Sequence, residues 1–185
     1  TITHLADYLE QFAGQLESRG VIVHWARTAD DFNKTVLEIL QKHGVKKMVK
    51  SKSMLTEECG MNPYLEQNGI DVVETDLGER ILQLLHQKPS HIVMPAIHLK
   101  REEVGRMFEE KGISKQIGNY DPTYLTRCAR MHLRNQFMEA GAGMTGCNFG
   151  VAESGDIVVC TNEGNADLST SMPKLHLVAM GLSLI

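Results

Sequence analysis

The chain has 185 residues, 42% of them hydrophobic, which is enough for one complete core. Its 19 basic and 23 acidic residues give a formal net charge of −4 and are spread along the chain. Because no basic block could neutralise a phosphate backbone, we expect no nucleic-acid partner. No apolar stretch approaches the length of a membrane span, and the N-terminus does not have the pattern of an export signal. We therefore expect a cytoplasmic protein with no membrane span.

The first part of the chain predicts two amphipathic helices with a strand between them. Thr3 is placed to cap the first helix and Gly20 to end it. Residues 21–26, VIVHWA, have the composition of a strand. Thr28 is placed to cap the second helix, which Gly44 ends.

Strands and helices continue to alternate through the middle of the chain. Asn62 and Pro63 open a short helix, and Asp76 is placed to cap the next one. Three strands are predicted here, at residues 46–51, 71–75 and 91–96. This alternation predicts an α/β fold whose mostly parallel sheet is covered by helices on both faces.

The pattern changes in the last part of the chain. A charged helix near residues 101–112 precedes a longer helix that Asp121 and Pro122 open and Gly141 closes. Residues 148–162 form two β-rich runs on either side of Ser154 and Gly155, which predicts an added β-hairpin. Residues 174–181 predict a final strand.

Gly141–Gly146, GAGMTG, match the GxGxxG spacing of dinucleotide-binding loops. Such a loop must follow a strand and open a helix, but here a predicted helix comes first. We therefore interpret these glycines as a helix C-cap and a flexible loop.

The four cysteines are Cys59, Cys128, Cys147 and Cys160, and none belongs to a CxxC or CxxxC pair. Such spacing does not build an iron–sulfur or zinc site locally. Since free cysteine packs as a small apolar residue, we expect buried free thiols and neither a metal nor a cofactor in this chain.

Polar residues that follow the predicted strands are the first candidates for a site, because ligands of open α/β sheets bind beyond the carboxyl ends of the strands. Two lysines and the nearby backbone amides could hold a small anionic substrate, although solvation and helix capping would explain the same residues. The candidates of this group are Lys50, Lys52, Ser53, Glu74 and His98.

A second polar group flanks the apolar run from Ile157 to Cys160. Glu153 would expose a carboxylate at the hairpin turn, while Asn162, Glu163 and Asn165 would supply polar side chains for a ligand. A strand between them would hold the two groups roughly 17 Å apart, so they need not form one site. Turn chemistry alone would also explain the Asn and Gly residues here.

Four segments that together extend over nearly the whole chain carry a family resemblance. They are KSKSMLTEE (50–58), ETDLGERILQL (74–84), PSHIVMPAIHLKREE (89–103) and MTGCNFGVAESGDIVVCTNEGNADL (144–168). These segments resemble the LUD-domain family and occur in that family's order. Within the family, the similarity is to the iron–sulfur subunit type of the bacterial lactate-utilisation proteins. The resemblance implies a Rossmann-like, mostly parallel sheet similar to the sugar-phosphate isomerase and CoA-transferase superfamily.

The resemblance also implies a function shared among several proteins. Members of this type act with two other lactate-utilisation proteins to oxidise L-lactate to pyruvate. In such proteins 4Fe-4S clusters are carried by cysteine motifs after the LUD domain, and this chain has no such motif. We therefore expect residues 1–185 to be a single LUD domain of a longer protein, with the clusters in the missing C-terminal part.

Three hypotheses for the domain itself follow. As a component of an electron-transfer complex, it would bind a small anion or partner subunits and would not be a self-sufficient enzyme. Alternatively, it would be a stand-alone CoA-transferase-like or sugar-phosphate isomerase-like enzyme with Glu153 as the catalytic carboxylate. In the third hypothesis the domain is a scaffold that binds no small ligand.

Overall fold

The computed structural model describes residues 2–91 and 93–182 and has a four-stranded parallel sheet at its centre. The strands are β1 (Lys47–Lys50), β2 (Asp71–Glu74), β3 (Ala142–Thr145), β4 (Phe149–Val151), β5 (Asp156–Val158) and β6 (Leu175–Val178). After a 3-10 turn at Ile2–His4, the helices are α1 (Leu5–Ser18), α2 (Ala29–Lys42), α3 (Met54–Glu58), α4 (Met61–Gln67), α5 (Leu77–Leu85), α6 (Arg101–Glu110), α7 (Pro122–Glu139) and α8 (Asn165–Ser171). None of the helices in the described part of the chain is both long and apolar enough to cross a membrane.

The sheet has the strand order β2-β1-β3-β6, and all three pairings are parallel. The strands β4 and β5 form a separate antiparallel hairpin in which Phe149 pairs with Val158. The predicted α/β class, with a Rossmann-like parallel sheet and an added hairpin, is confirmed.

Side chains alternate between the two faces of the sheet, as the pleat of a strand requires. Met48 of β1 packs on one face with Leu40 of α2 and Leu65 of α4. Val49, the next residue, packs on the other face with Phe137 of α7. Both faces of the sheet are therefore buried beneath helices.

The predicted caps of three helices are confirmed. Thr28, Asp76 and Asp121 each accept a backbone N–H three residues further on, at 3.1, 3.1 and 2.9 Å. The predicted cap at Thr3 is wrong, because Thr3 lies inside the 3-10 turn and α1 begins at Leu5 without a side-chain cap.

Two predicted strands are absent. Residues 21–26 have no regular secondary structure and pair with none of the strands in the described part of the chain, and Ile22 and Trp25 are 74% and 59% exposed. In the predicted strand 91–96, His91 and residues 93–96 lie in bends and turns, and Ile92 lies outside the described residues. Both segments have strand-like compositions, but composition does not supply a neighbouring strand with which to form hydrogen bonds.

The interpretation of Gly141–Gly146 as a helix cap and loop is wrong, because residues 142–145 are the strand β3. All four residues are buried between β1 and β6. A Cβ atom at Gly143 would lie 1.8 Å from the Ser169 backbone oxygen of α8. Glycine is used here because α8 approaches the sheet backbone closely.

The expectation of buried free thiols is confirmed only in part. Cys59, Cys128 and Cys147 are partly buried and Cys160 is exposed, although all four are free. Burial raises the pKa of the Cys147 thiol, an effect that hydrogen bonds with the backbone of Val158 and Phe149 partly oppose.

Candidate functional site

A cavity of about 530 Å³ lies at the carboxyl edge of the parallel sheet. After each of the four strands of the parallel sheet, a residue lines the cavity. These residues are Lys52 after β1, Asp76 after β2, Cys147 after β3 and Ala179 after β6. Residues 159–163, between the hairpin and α8, line it as well, together with Asn165 and Ala166 at the start of α8. This is where open α/β sheets bind their ligands.

Five of the predicted site residues line this cavity. Two come from the loop after β1, and three come from the segment that leads into α8. The structure therefore unites parts of both polar groups that the sequence suggested. The five residues are Lys52, Ser53, Asn162, Glu163 and Asn165.

Local hydrogen bonds fix the two loops that meet at the cavity. Asn165 Nδ2 donates to Thr75 Oγ1 at 3.3 Å, which ties the start of α8 to the end of β2. Thr75 Oγ1 in turn donates to the Lys50 carbonyl oxygen at 2.9 Å. Ser53 precedes α3, but its side chain makes no capping hydrogen bond; its carbonyl accepts the Thr56 hydroxyl at 2.8 Å.

Lys50 and Glu74 are not in the lining of the cavity but form an ion pair within the core. The Lys50 Nζ atom lies 2.7 Å from Glu74 Oε1, and the two side chains are 0% and 6% exposed. Asn62 Nδ2 donates to the same carboxylate oxygen at 2.6 Å. This buried ion pair therefore has a structural role, because it links β1 to β2.

His98 and Glu153 lie outside the set of residues that line the cavity. His98 is exposed, with Nδ1 2.7 Å from Ser90 Oγ and Nε2 3.0 Å from Gln87 Oε1. Glu153 is exposed in the turn between β4 and β5. The structure does not bring either residue together with the other predicted site residues.

Lys52 is held at the cavity by an acidic residue that the sequence did not single out. Its Nζ atom lies 3.1 Å from Glu79 Oε1, and the two side chains are 23% and 9% exposed. The neighbouring Glu57 has a raised pKa because of burial and, secondly, the charge of Glu79. Glu79 lies three residues after Asp76, the N-cap of α5. An acidic residue at this position ordinarily serves the start of the helix, so its contact with Lys52 was not expected from the sequence.

The cavity also contains residues that follow β3, and sequence reasoning missed them. Gly146, Cys147 and Asn148 line the wall directly after this strand. They were missed because β3 was interpreted as a loop, so its carboxyl end was not considered. The residue types of β3 carried no signal for a strand, because alanine and glycine do not favour strands.

Glu163 has a raised pKa, chiefly because of burial and then because of the negative charge of Asp76. A hydrogen bond from the Leu77 N–H and the positive charge of Lys52 oppose this rise. Two carboxylates and a lysine therefore influence one another within one cavity.

A second polar network joins α5 to α7. Arg80 NH2 lies 3.0 Å from His132 Nε2, and a guanidinium can only donate, so Nε2 accepts and the imidazole proton is on Nδ1. Burial lowers the pKa of His132, and the charges of Arg80 and then Lys47 lower it further. The folded state therefore favours the neutral imidazole.

This network predicts a pH dependence of stability. Below the ordinary pKa of 6.5 the unfolded chain binds a proton at His132 before the folded chain does, so the free energy of unfolding falls as the pH decreases. We expect His132→Gln to show a smaller fall between neutral and mildly acidic pH, measured by urea unfolding. His176, whose pKa burial also lowers, is present in both proteins and does not affect the comparison. Equal slopes would contradict the contribution of His132.

The cysteines do not fit an iron–sulfur cluster. Within residues 2–91 and 93–182, no three His, Cys, Asp or Glu side chains are grouped so that they could hold a metal ion. Cys147 and Cys160 line the cavity, whereas Cys59 and Cys128 do not.

Comparison with known proteins identifies relatives over the whole chain. Lactate utilization protein B of Shouchella clausii is 47% identical over 187 residues, which cover 100% of this chain and 39% of that protein. The corresponding protein of Bacillus pumilus is 46% identical over 98% of this chain and 38% of its own length. The uncharacterized electron transport protein YkgF of Escherichia coli is 43% identical over 100% of this chain and 38% of its own length.

The chain thus spans less than two fifths of the length of these relatives. No solved structure matches it significantly. The family model of the LUD domain matches residues 9–185, nearly the complete chain. The family resemblance suggested by the four sequence segments is confirmed, and the chain belongs to the LUD domain family.

Proposed function

We propose that this chain is the LUD domain of a bacterial lactate-utilisation protein that acts with two partner proteins to oxidise L-lactate to pyruvate. The names of the relatives and their identity over the whole chain support this proposal. The 4Fe-4S clusters would be carried by the remainder of a longer protein, since the cysteines of this chain do not fit one. The LUD domain would then contribute binding rather than electron transfer.

The role of the domain in this proposal is to bind a small carboxylate anion such as L-lactate. The observation that carries it is the cavity at the carboxyl edge of the sheet, which Lys52 and Ser53 line together with Asn162 and Asn165. Ammonium, hydroxyl and amide groups all donate hydrogen bonds that a carboxylate can accept. Ser53 is buried, and the hydrogen bond from Asn165 to Thr75 holds the start of α8 in place.

Lys52→Gln tests this proposal. The amide removes the positive charge but keeps an N–H group for Glu79, so the fold should be retained. We expect the affinity for L-lactate to fall about tenfold, because a hydrogen bond to a charged group contributes about 1.5–3 kcal/mol. Isothermal titration calorimetry on the full-length protein measures the change.

Lys46→Gln is the matched control. Lys46 is exposed and directly precedes β1, so it lies at the opposite edge of the sheet from the cavity. The control should bind L-lactate as the wild type does. An unchanged affinity in Lys52→Gln, or an equal loss in both variants, would contradict the proposed site.

Partner docking is a second candidate role, favoured by an exposed apolar loop beside the cavity. Val93, Met94 and Ile97 are 75%, 53% and 59% exposed, and Val93 also lines the cavity. Such a patch is typical of a surface that contacts another protein. The titration separates the two roles, because a domain that only docks partners would not bind L-lactate.

A further inference from the structure

The charges on the cavity wall do not suit a ligand that is only an anion. Among the described residues of the wall, Lys52 is accompanied by two carboxylates, Asp76 and Glu163. Lys52 is also 3.1 Å from the Glu79 carboxylate. Because the wall has more acidic than basic groups, it complements a ligand that combines a negative group with a hydrogen-bond donor.

The two carboxylates of the wall differ in their hydrogen-bond partners within the protein. Asp76 Oδ1 accepts the Glu79 N–H at 3.1 Å as the cap of α5, so this oxygen has a structural partner. Glu163 is an exposed side chain on the cavity wall, and a hydrogen bond with the Leu77 backbone is among the causes that lower its pKa. A carboxylate has about four acceptor positions, so Glu163 can accept a further hydrogen bond from within the cavity.

We propose that Glu163 is a specificity-determining residue that accepts a hydrogen bond from the hydroxyl group of an α-hydroxy acid, while Lys52 and Ser53 hold its carboxylate. The proposal rests on the proposed function of the cavity. The hydroxyl and the carboxylate of such an acid are on adjacent carbons, so one ligand can reach donors and an acceptor of the same wall.

The surroundings of Glu163 on the cavity wall add to the selectivity that this contact can provide. Burial and the charge of Asp76 raise the pKa of Glu163, which means that its ionised form lacks full solvation. A hydroxyl donor restores part of that solvation, whereas a keto acid places a carbonyl oxygen against the carboxylate. Rejection of the keto acid follows, because a site built for a hydroxyl leaves polar groups unpaired with an analogue that lacks one.

Titration of the full-length protein with L-lactate, pyruvate and propionate near neutral pH tests this role. We expect L-lactate to bind at least about tenfold more tightly than the other two acids. Glu163→Gln offers an amide donor as well as an acceptor, so the preference over pyruvate should be lost. Glu58→Gln is the control, since Glu58 is an exposed carboxylate at the end of α3 and should retain the preference.

The outcomes distinguish this inference from the proposed function. Equal binding of the three acids by the wild type, with weakened binding in Lys52→Gln, would overturn the role of Glu163 and leave the anion site standing. Absence of binding by all three acids would overturn both. The comparison of ligands on the wild type needs no variant, so it decides the question even if Glu163→Gln fails to fold.

Discussion

Replacement of Gly143 by alanine should destabilise the protein by at least about 3 kcal/mol, because it overpacks the centre of the sheet. The new Cβ atom would lie 1.8 Å from the Ser169 carbonyl oxygen and 2.8 Å from its carbonyl carbon. Both are backbone atoms of α8, so no side-chain rotation relieves the overlap. Gly143 itself is held between β1 and β6, and one of the two elements would have to move.

Gly14→Ala is the control for this substitution. Gly14 lies within α1, and an added Cβ would meet no atom within 4 Å. Alanine should therefore stabilise the protein by roughly 0.5–1 kcal/mol through its greater helix propensity. Urea unfolding of both variants gives the two free energies, and a Gly143→Ala protein as stable as the wild type would contradict the close contact of α8 with β3.

Replacement of Lys50 by methionine should reduce the free energy of unfolding by about 3–5 kcal/mol, because it leaves a buried carboxylate without its cation. Glu74 Oε1 would keep only the Asn62 amide, which donates to it at 2.6 Å. Methionine is unbranched and only one heavy atom shorter than lysine, so loss of packing contributes little. The measurement is again urea unfolding, with circular dichroism to verify the native fold.

The double variant Lys50→Met with Glu74→Gln distinguishes loss of a charge pair from loss of shape. The glutamine oxygen can still accept from Asn62, and no charge remains to be desolvated. We expect the double variant to be more stable than Lys50→Met alone, since replacing both partners of a buried pair costs less than removing one. If the two substitutions instead lowered the free energy of unfolding additively, the ion pair would not be the source of the effect.

A helix or strand could be predicted from the sequence only where its local residue pattern agrees with how the segment packs in the folded protein. The caps Thr28 and Asp76 are local, because each oxygen bonds a backbone N–H three residues away. The strand β3 could not be recognised by its residue types, since its glycine serves contact with α8 rather than strand propensity. Residues 21–26 show the reverse case, in which strand-forming residues have no partner strand.

The site was predictable as a region but not as a set of contacts. The rule that ligands bind after the strands selected Lys52 and Ser53, which line the cavity. It also selected Lys50 and Glu74, because the sequence does not show at which residue a strand leaves the core. The pairing of Lys52 with Glu79 depends on how β1 and α5 pack, and no spacing along the chain reveals it.

The most direct test of a lactate-binding LUD domain is L-lactate-dependent dye reduction by the full-length protein assembled with the two partner proteins that we propose for it. Lys52→Gln and Lys46→Gln would be compared over a range of lactate concentrations. We expect Lys52→Gln to require about tenfold more L-lactate for its half-maximal rate, and Lys46→Gln to behave as the wild type does. The same lactate dependence in all three proteins would contradict a role for this cavity in lactate oxidation.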